Sequence, residues 1–221
     1  MENLINTRIT QLRDFMKSNN LQAFIVPSTD AHMSEYIPEY WESRRWISGF
    51  TGSAGTVVIT LDKAGLWTDS RYFLQATDEL SGSEIVLFKD RIPGTISIPD
   101  WLLSELADGD RVGLDGNVYS AKDAFSLKSK LKESNIKLVP DYDPFEIIWK
   151  DRPGLPKAPI SVHPLEFAEE AESQKIKRVL AEAEKAEANG VWISTLDTIA
   201  WLFNIRGNDV PYNPVVVSHA Y

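Results

Sequence analysis

The sequence predicts an α/β protein built on a mixed β-sheet flanked by helices. Three observations lead there. Short β-branched or apolar runs alternate with amphipathic helical stretches through residues 1–150. Two of those runs are joined so tightly that they form a hairpin, so the sheet cannot be wholly parallel. A proline-rich stretch then breaks the alternation, and a second helix–strand series follows it.

The elements follow in order. Ile5, Ile9, Leu12 and Met16 recur at spacings of three and four, the signature of an amphipathic helix, which Asn19 and Asn20 end. Ala23-Phe24-Ile25-Val26 is a buried strand closed by Pro27. Arg44 to Phe50 suits a short helix, and Gly52-Ser53-Ala54-Gly55 a turn. Thr56 to Thr60 and Gly65 to Thr68 are the hairpin strands, joined near Asp62-Lys63. Asp69 or Ser70 caps a helix reaching Leu80. A strand at 85–88, a helix from Pro99 through Leu106, and a strand at 112–114 come next. A helix over 121–132 follows, with Phe125, Leu127 and Leu131 turned inward. A strand at 137–139 and a short apolar helix around Phe145 to Trp149 close the series. Trp67, Trp101, Trp149 and Trp201 are expected as core anchors.

Asp151 to Pro159 holds prolines at 153, 156 and 159 and reads as a stiff linker. The expected domains are therefore 1–150, a linker over 151–169, and a second domain opening at 170. That domain should contain a helix over 170–188, a strand at 191–194, a helix from Asp197 to Phe203 and a strand at 214–218. The two parts share an order of helix, strand, Asp-bearing turn, aromatic helical segment and Val-rich strand. This echo suggests two related units, the second cut short, and hence a piece of a longer protein.

Composition excludes several functions. The chain has 221 residues, a net charge of −9 and no cysteine. An acidic balance argues against nucleic acid as a partner. Absence of cysteine removes disulfides, thiol nucleophiles and Cys-based zinc sites. His32, His163 and His219 leave little for a metal centre, and none is expected in these residues. No apolar run approaches the ~20 residues of a membrane span. The N-terminus lacks a secretory pattern, so a cytoplasmic location is expected.

Chemistry-bearing motifs are sparse. Gly49 to Gly55 is glycine-rich but has no P-loop lysine and leads into a strand, so it reads as a tight turn before a phosphate cradle. In Asp69-Ser70-Arg71-Tyr72, a cation in the first helical turn opposes the helix dipole. It is held by a carboxylate, or it is free to meet a ligand or substrate. The stretch holding Tyr40, Trp41, Arg44 and Arg45 is aromatic and charged without periodicity, so these four are candidates for an interface or for local packing. His32 follows the Asp30 turn and is expected as a hydrogen-bonding turn residue rather than a ligand.

Several segments together resemble one family. They are 24–36, with Pro27-Ser28-Thr29-Asp30-Ala31-His32; 44–56, with Gly49-Phe50-Thr51-Gly52-Ser53-Ala54-Gly55; and 66–76, with Trp67-Thr68-Asp69-Ser70-Arg71-Tyr72-Phe73. Ile148-Trp149-Lys150-Asp151-Arg152-Pro153 and the run 196–210, with Trp201-Leu202-Phe203-Asn204-Ile205-Arg206-Gly207, complete the set. The chain resembles the N-terminal region of the cytosolic-type aminopeptidase P (Xaa-Pro aminopeptidase) family. That resemblance implies a creatinase-like N-terminal domain and the truncated start, over 170–221, of a second domain of related fold. It also implies a C-terminal "pita-bread" catalytic domain absent from these residues. There two divalent metal ions, usually manganese, serve removal of the N-terminal residue before proline. This chain would itself be inactive, would support a homodimer and would border the active-site mouth, with Arg71, Tyr72 and Asp69 as the substrate-edge candidates. Its substrates, through the parent, would be peptides with proline second. The alternatives are a stand-alone interaction module and a prolidase or creatinase relative.

Overall fold

The computed structural model describes residues 4–221. Two compact units emerge. One holds the chain up to Ala31 together with Trp41–Pro153; the other holds His32–Tyr40 and Gly154–Tyr221.

The first unit is α/β. Its helices are α1 (Leu4–Ser18), α2 (Ser43–Ser48), α3 (Phe73–Glu79), α4 (Ile98–Glu105), α5 (Ala121–Lys132) and α6 (Phe145–Ile148). Its strands are β1 (Ala23–Val26), β2 (Thr56–Thr60), β3 (Ala64–Thr68), β4 (Ile85–Lys89), β5 (Arg111–Leu114) and β6 (Lys137–Val139). They form one sheet in the order β4-β3-β2-β1-β5-β6. Pairing is antiparallel for β1–β2 and β2–β3 and parallel for β1–β5, β3–β4 and β5–β6. Only β2 therefore runs against the rest, because the β2–β3 hairpin reverses the chain once and every later connection passes through a helix.

Side-chain alternation divides the core. Phe24, Val26, Val57, Ile59 and Leu66 pack on one face with Ile9, Leu12 and Met16 of α1 and Ile47 of α2. Ala23, Ile25, Val58, Val112 and Leu114 pack on the other with Trp101 and Leu102 of α4 and Leu127 and Leu131 of α5. Phe125 was expected inward, yet it is 69% exposed. It stands two residues from Leu127, about 200° around the helix from the buried stripe. The expected helix after Asp69 opens as a 3-10 turn, Ser70–Tyr72, before α3 begins.

The second unit holds β7 (Ser161–Val162), α7 (Leu165–Ala168), α8 (Glu172–Lys185), α9 (Leu196–Leu202) and β8 (Ile205–Arg206). β7 and β8 make a two-stranded antiparallel sheet. The expected strands at 191–194 and 214–218 do not form. Asp209 satisfies backbone donors in place of a ladder, accepting from Ala158 N at 2.9 Å and Val217 N at 2.8 Å. Pro214 has no N–H to give. At 191–194 only Ile193 bonds to backbone, exchanging hydrogen bonds with Ala220. The echo therefore does not extend to these strands.

Trp201, expected in the core, is 43% exposed, and its ring lies under Lys175 Nζ at 4.8 Å and Arg178 at 5.7 Å. The buried apolar residues of this unit are Leu196, Ile199, Ala200, Leu202, Val210, Val215 and Val216, and of these Leu196, Ala200, Val210 and Val215 pack as one small cluster. Val162, Phe167, Trp192 and Tyr221 are each more than half exposed. His32 is a hydrogen-bonding residue with a partner distant in the chain. Its Nδ1 donates to the Ser194 carbonyl at 2.8 Å and its ring lies 4.4 Å from that of His219.

Among the described residues no helix is long and apolar enough to cross a membrane.

Candidate functional site

The parallel strands of the first unit end together, and their carboxyl ends carry the polar residues singled out above. In sheets of this kind that edge is where ligand-facing loops gather. Asp69 follows β3 and caps the 3-10 turn, its Oδ1 accepting from Arg71 N at 3.1 Å. The Arg71 guanidinium doubles back on the same carboxylate, Nε to Oδ1 at 2.9 Å and Nη2 to Oδ2 at 2.8 Å. This pair answers the unfavourable dipole position by neutralising the cation locally. The hydrogen bond from Arg71, against a smaller desolvation effect, holds the Asp69 carboxyl below the usual carboxylate range. The Arg71 side chain remains 59% exposed and lies 5.1 Å from the Tyr72 ring centre.

Tyr72 links this turn to the glycine-rich loop. Its hydroxyl lies 2.8 Å from Ser53 Oγ, and its ring meets Phe50 edge-on at 5.8 Å. Gly52 sits between those two rings, and a Cβ there would collide with both. Glycine is needed here for close approach. No P-loop geometry is present: the loop's own carbonyls point at a cation. Arg44 donates to the carbonyls of Phe50 and Gly52 and, from Nε, to Ser28 Oγ at 2.8 Å. Ser28 in turn donates to the Gly55 carbonyl at 2.5 Å. Burial depresses the Arg44 pKa to about 10, against the opposing pull of Glu42, so the side chain stays a cation at neutral pH.

Arg44 is thus an internal clamp. At 6% exposure it offers nothing to a partner, and Trp41 at 9% is likewise interior. Of the four interface candidates, Arg45 has an exposed head, paired with Glu42 at 2.9 Å. Tyr40 is half-buried and belongs to the second unit.

Sequence reasoning missed Glu79. Its carboxylate takes Thr51 N at 2.8 Å and Thr51 Oγ1 at 2.6 Å, and Gln75 Nε2 joins at 3.1 Å. Desolvation opposes these bonds, yet together they keep the Glu79 carboxyl below its ordinary value. Thr51 lies 28 residues away in the chain, so no local spacing could reveal the contact. The signal was only that Gln75 and Glu79 share a helix face.

A second charged cluster lies near the ends of β5 and β6. Arg152 bonds Asp143 at 2.6 Å, and both are largely buried. Nearby Asp115 caps a short 3-10 turn through Asn117 N. Burial first, and the charge of Asp143 next, push the Asp115 carboxyl upward, against its bonds to Asn117 and the charge of Arg152.

Among the described residues no group of three or more His, Asp or Glu side chains is placed to hold a metal ion. The described residues do not fit a metal pair.

Two creatinase/prolidase N-terminal domain models match the chain, one over residues 8–146 and one over 151–221. The chain is 44% identical to Xaa-Pro aminopeptidase 1 of Dictyostelium discoideum, over 97% of its own length and 36% of that protein. It is 41% identical to a probable Xaa-Pro aminopeptidase P of Paracoccidioides brasiliensis, over 96% of its length and 35% of that protein. The X-prolyl aminopeptidase of Caenorhabditis elegans, described as a cytosolic enzyme with a di-nuclear active site, superposes with a TM-score of 0.92 at 32% identity. That likeness covers 97% of this chain and 37% of the nematode enzyme. The chain thus spans about a third of the length of these relatives.

Proposed function

We propose that this chain, which belongs to the creatinase/prolidase N-terminal domain family, is the leading, non-catalytic part of a cytosolic metal-dependent Xaa-Pro aminopeptidase. The parent would hydrolyse the first peptide bond of peptides with proline second. A pair of divalent ions, manganese by family resemblance, would supply the polarising and nucleophile-activating chemistry from elsewhere in the polypeptide. The work left to these residues is access, positioning and assembly of a homodimer.

The observation that carries the reading is the superposition on the nematode enzyme along nearly the whole chain, at a TM-score of 0.92. The apolar surface of the second unit supports it. A small buried cluster, with Val162, Phe167 and Trp192 exposed outside it, leaves apolar surface for further polypeptide to cover.

Within this reading Arg71 and Tyr72 stand at the substrate edge. An X–Pro bond is a tertiary amide with a restricted preceding residue, so a shaped wall can select it. Arg71 presents a planar, permanently charged group on a rigid turn, suited to a peptide carbonyl or terminal carboxylate. Domain boundaries at 150 and 170 form part of the same proposal.

Native mass is the test. An antibody raised against this chain should detect a polypeptide near three times its length in the source cells. Detection of a 221-residue species alone would contradict the reading.

A further inference from the structure

β6 is an edge strand, paired on one side only, to β5. A groove of about 660 Å³ runs along that edge, between β6 and α5. Four cations line it: Arg111, Lys128, Lys132 and Lys137. No carboxylate lines it, although the whole chain carries a net charge of −9. Lys128 and Lys132 are four residues apart on α5 and so share a face. Lys17, Lys63, Lys130 and Lys185 each pair with an acidic residue. Lys128, Lys132 and Lys137 have no such pair among the described residues. Arg111 is held in place, its Nη1 donating to the Asn19 carbonyl at 3.1 Å. Ile136, Leu138 and Val139 supply an apolar floor.

We infer that this groove docks an extended acidic segment of another polypeptide, added as a further strand to β6. The edge offers backbone donors and acceptors, the mode by which a peptide joins an open sheet. Alternate carboxylates on the added strand would meet the α5 lysines beside Leu138, and the apolar residues between them would face the side of Val139. Charge selects the occupant. Two copies of the same lysine-lined edge repel, so self-pairing is disfavoured. A long polyanion would meet the field of an acidic molecule beyond the groove, whereas a short acidic strand stays within it.

The test uses the 221-residue chain and a fluorescent decapeptide of alternating Glu and Val, read by anisotropy. Binding is expected at low salt, weakening about tenfold between roughly 20 and 200 mM salt. The same peptide with Gln for Glu should not bind. The double variant Lys128→Glu/Lys132→Glu should weaken binding at least about tenfold, with unchanged far-UV dichroism. A control with the same change of net charge, Lys17→Glu/Lys150→Glu, should stay within about twofold. Amide shifts at 137–139 should move on titration. The inference is overturned if the acidic peptide does not bind, or if the two double variants behave alike. It is equally overturned if a single-stranded oligonucleotide competes more tightly at the same lysines, or if the chain self-associates through them.

Discussion

Arg71 grips Asp69 with two parallel hydrogen bonds, at 2.9 and 2.8 Å, while its outer face stays open to solvent. One carboxylate therefore does two tasks: it caps the turn after β3 and fixes the direction of a cation. An exposed pair of this kind adds little to stability. In the complete enzyme, Arg71→Ala is expected to lower kcat/KM about tenfold. The melting temperature should move by no more than a degree or two, since such a pair contributes well under about 1 kcal/mol. Unchanged kinetics at unchanged assembly would remove Arg71 from the substrate edge. Arg71→Lys should not restore the rate, because an ammonium cannot hold the two-pronged geometry.

The same pair gives a pH signature. The Asp69 carboxyl is held below the usual range by Arg71. A depressed folded value means stability present above the unfolded pKa and lost as pH falls through the folded one. A carboxyl-carbon titration should place the Asp69 midpoint below that of an ordinary aspartate. In Arg71→Ala the midpoint should return upward; an unmoved midpoint would reject the assignment.

Asp115 behaves in the opposite sense. Burial and Asp143 raise its pKa, so its protonated form is favoured in the fold. That contribution is present below the unfolded pKa and is lost as pH rises through the folded value. Asp115→Asn keeps the cap on Asn117 N and removes the charge. The variant should therefore gain stability relative to the parent chain at pH 7, and the gain should vanish near pH 3. Urea denaturation at the two pH values reads the difference.

Arg44 is the internal counterpart of Arg71. Removing it in Arg44→Ala leaves the Phe50 and Gly52 carbonyls without their donor and opens a cavity. A loss of about 2–4 kcal/mol is expected. Arg44→Lys should recover less than half, since one ammonium cannot reach both carbonyls and Ser28. Chemical denaturation measures both, and a loss below about 0.5 kcal/mol would contradict the clamp.

The second unit should open before the first. Its main buried cluster holds only Leu196, Ala200, Val210 and Val215, whereas α1, β1, β2 and β3 bury their apolar residues in two large clusters. Hydrogen exchange at α8 and α9 should run ahead of exchange at β1 and β2. Equal protection in both units would be inconsistent with this account.

Much of the first unit was legible because its signals are local. The unbroken apolar run Ala23 to Val26, the β-branched run Thr56 to Thr60 and the spacing of Leu127 and Leu131 follow directly from burial on one or two faces. The second unit misled for a physical reason. Val215, Val216 and Val217 look like a strand, but Asp209 takes the Val217 N–H and Pro214 has none. Two-residue strands such as β7 and β8 leave no periodicity to read. Trp201 looked like core because a tryptophan on an apolar helix usually is; two cations cover it instead. At the site, Asp69 and Arg71 were legible as a cap beside a misplaced cation. Arg44 was not, because its partners are backbone carbonyls that no sequence displays, and Glu79 bonds across 28 residues.

The most direct measurement sets the 221-residue chain beside the complete gene product, each given manganese and an Arg-Pro-Pro peptide, with release of arginine followed over time. The complete product should release arginine steadily and the 221-residue chain none above the metal-only blank. Turnover by the chain alone, or none by the complete product, would contradict the assignment of these residues as the non-catalytic leading part of an Xaa-Pro aminopeptidase.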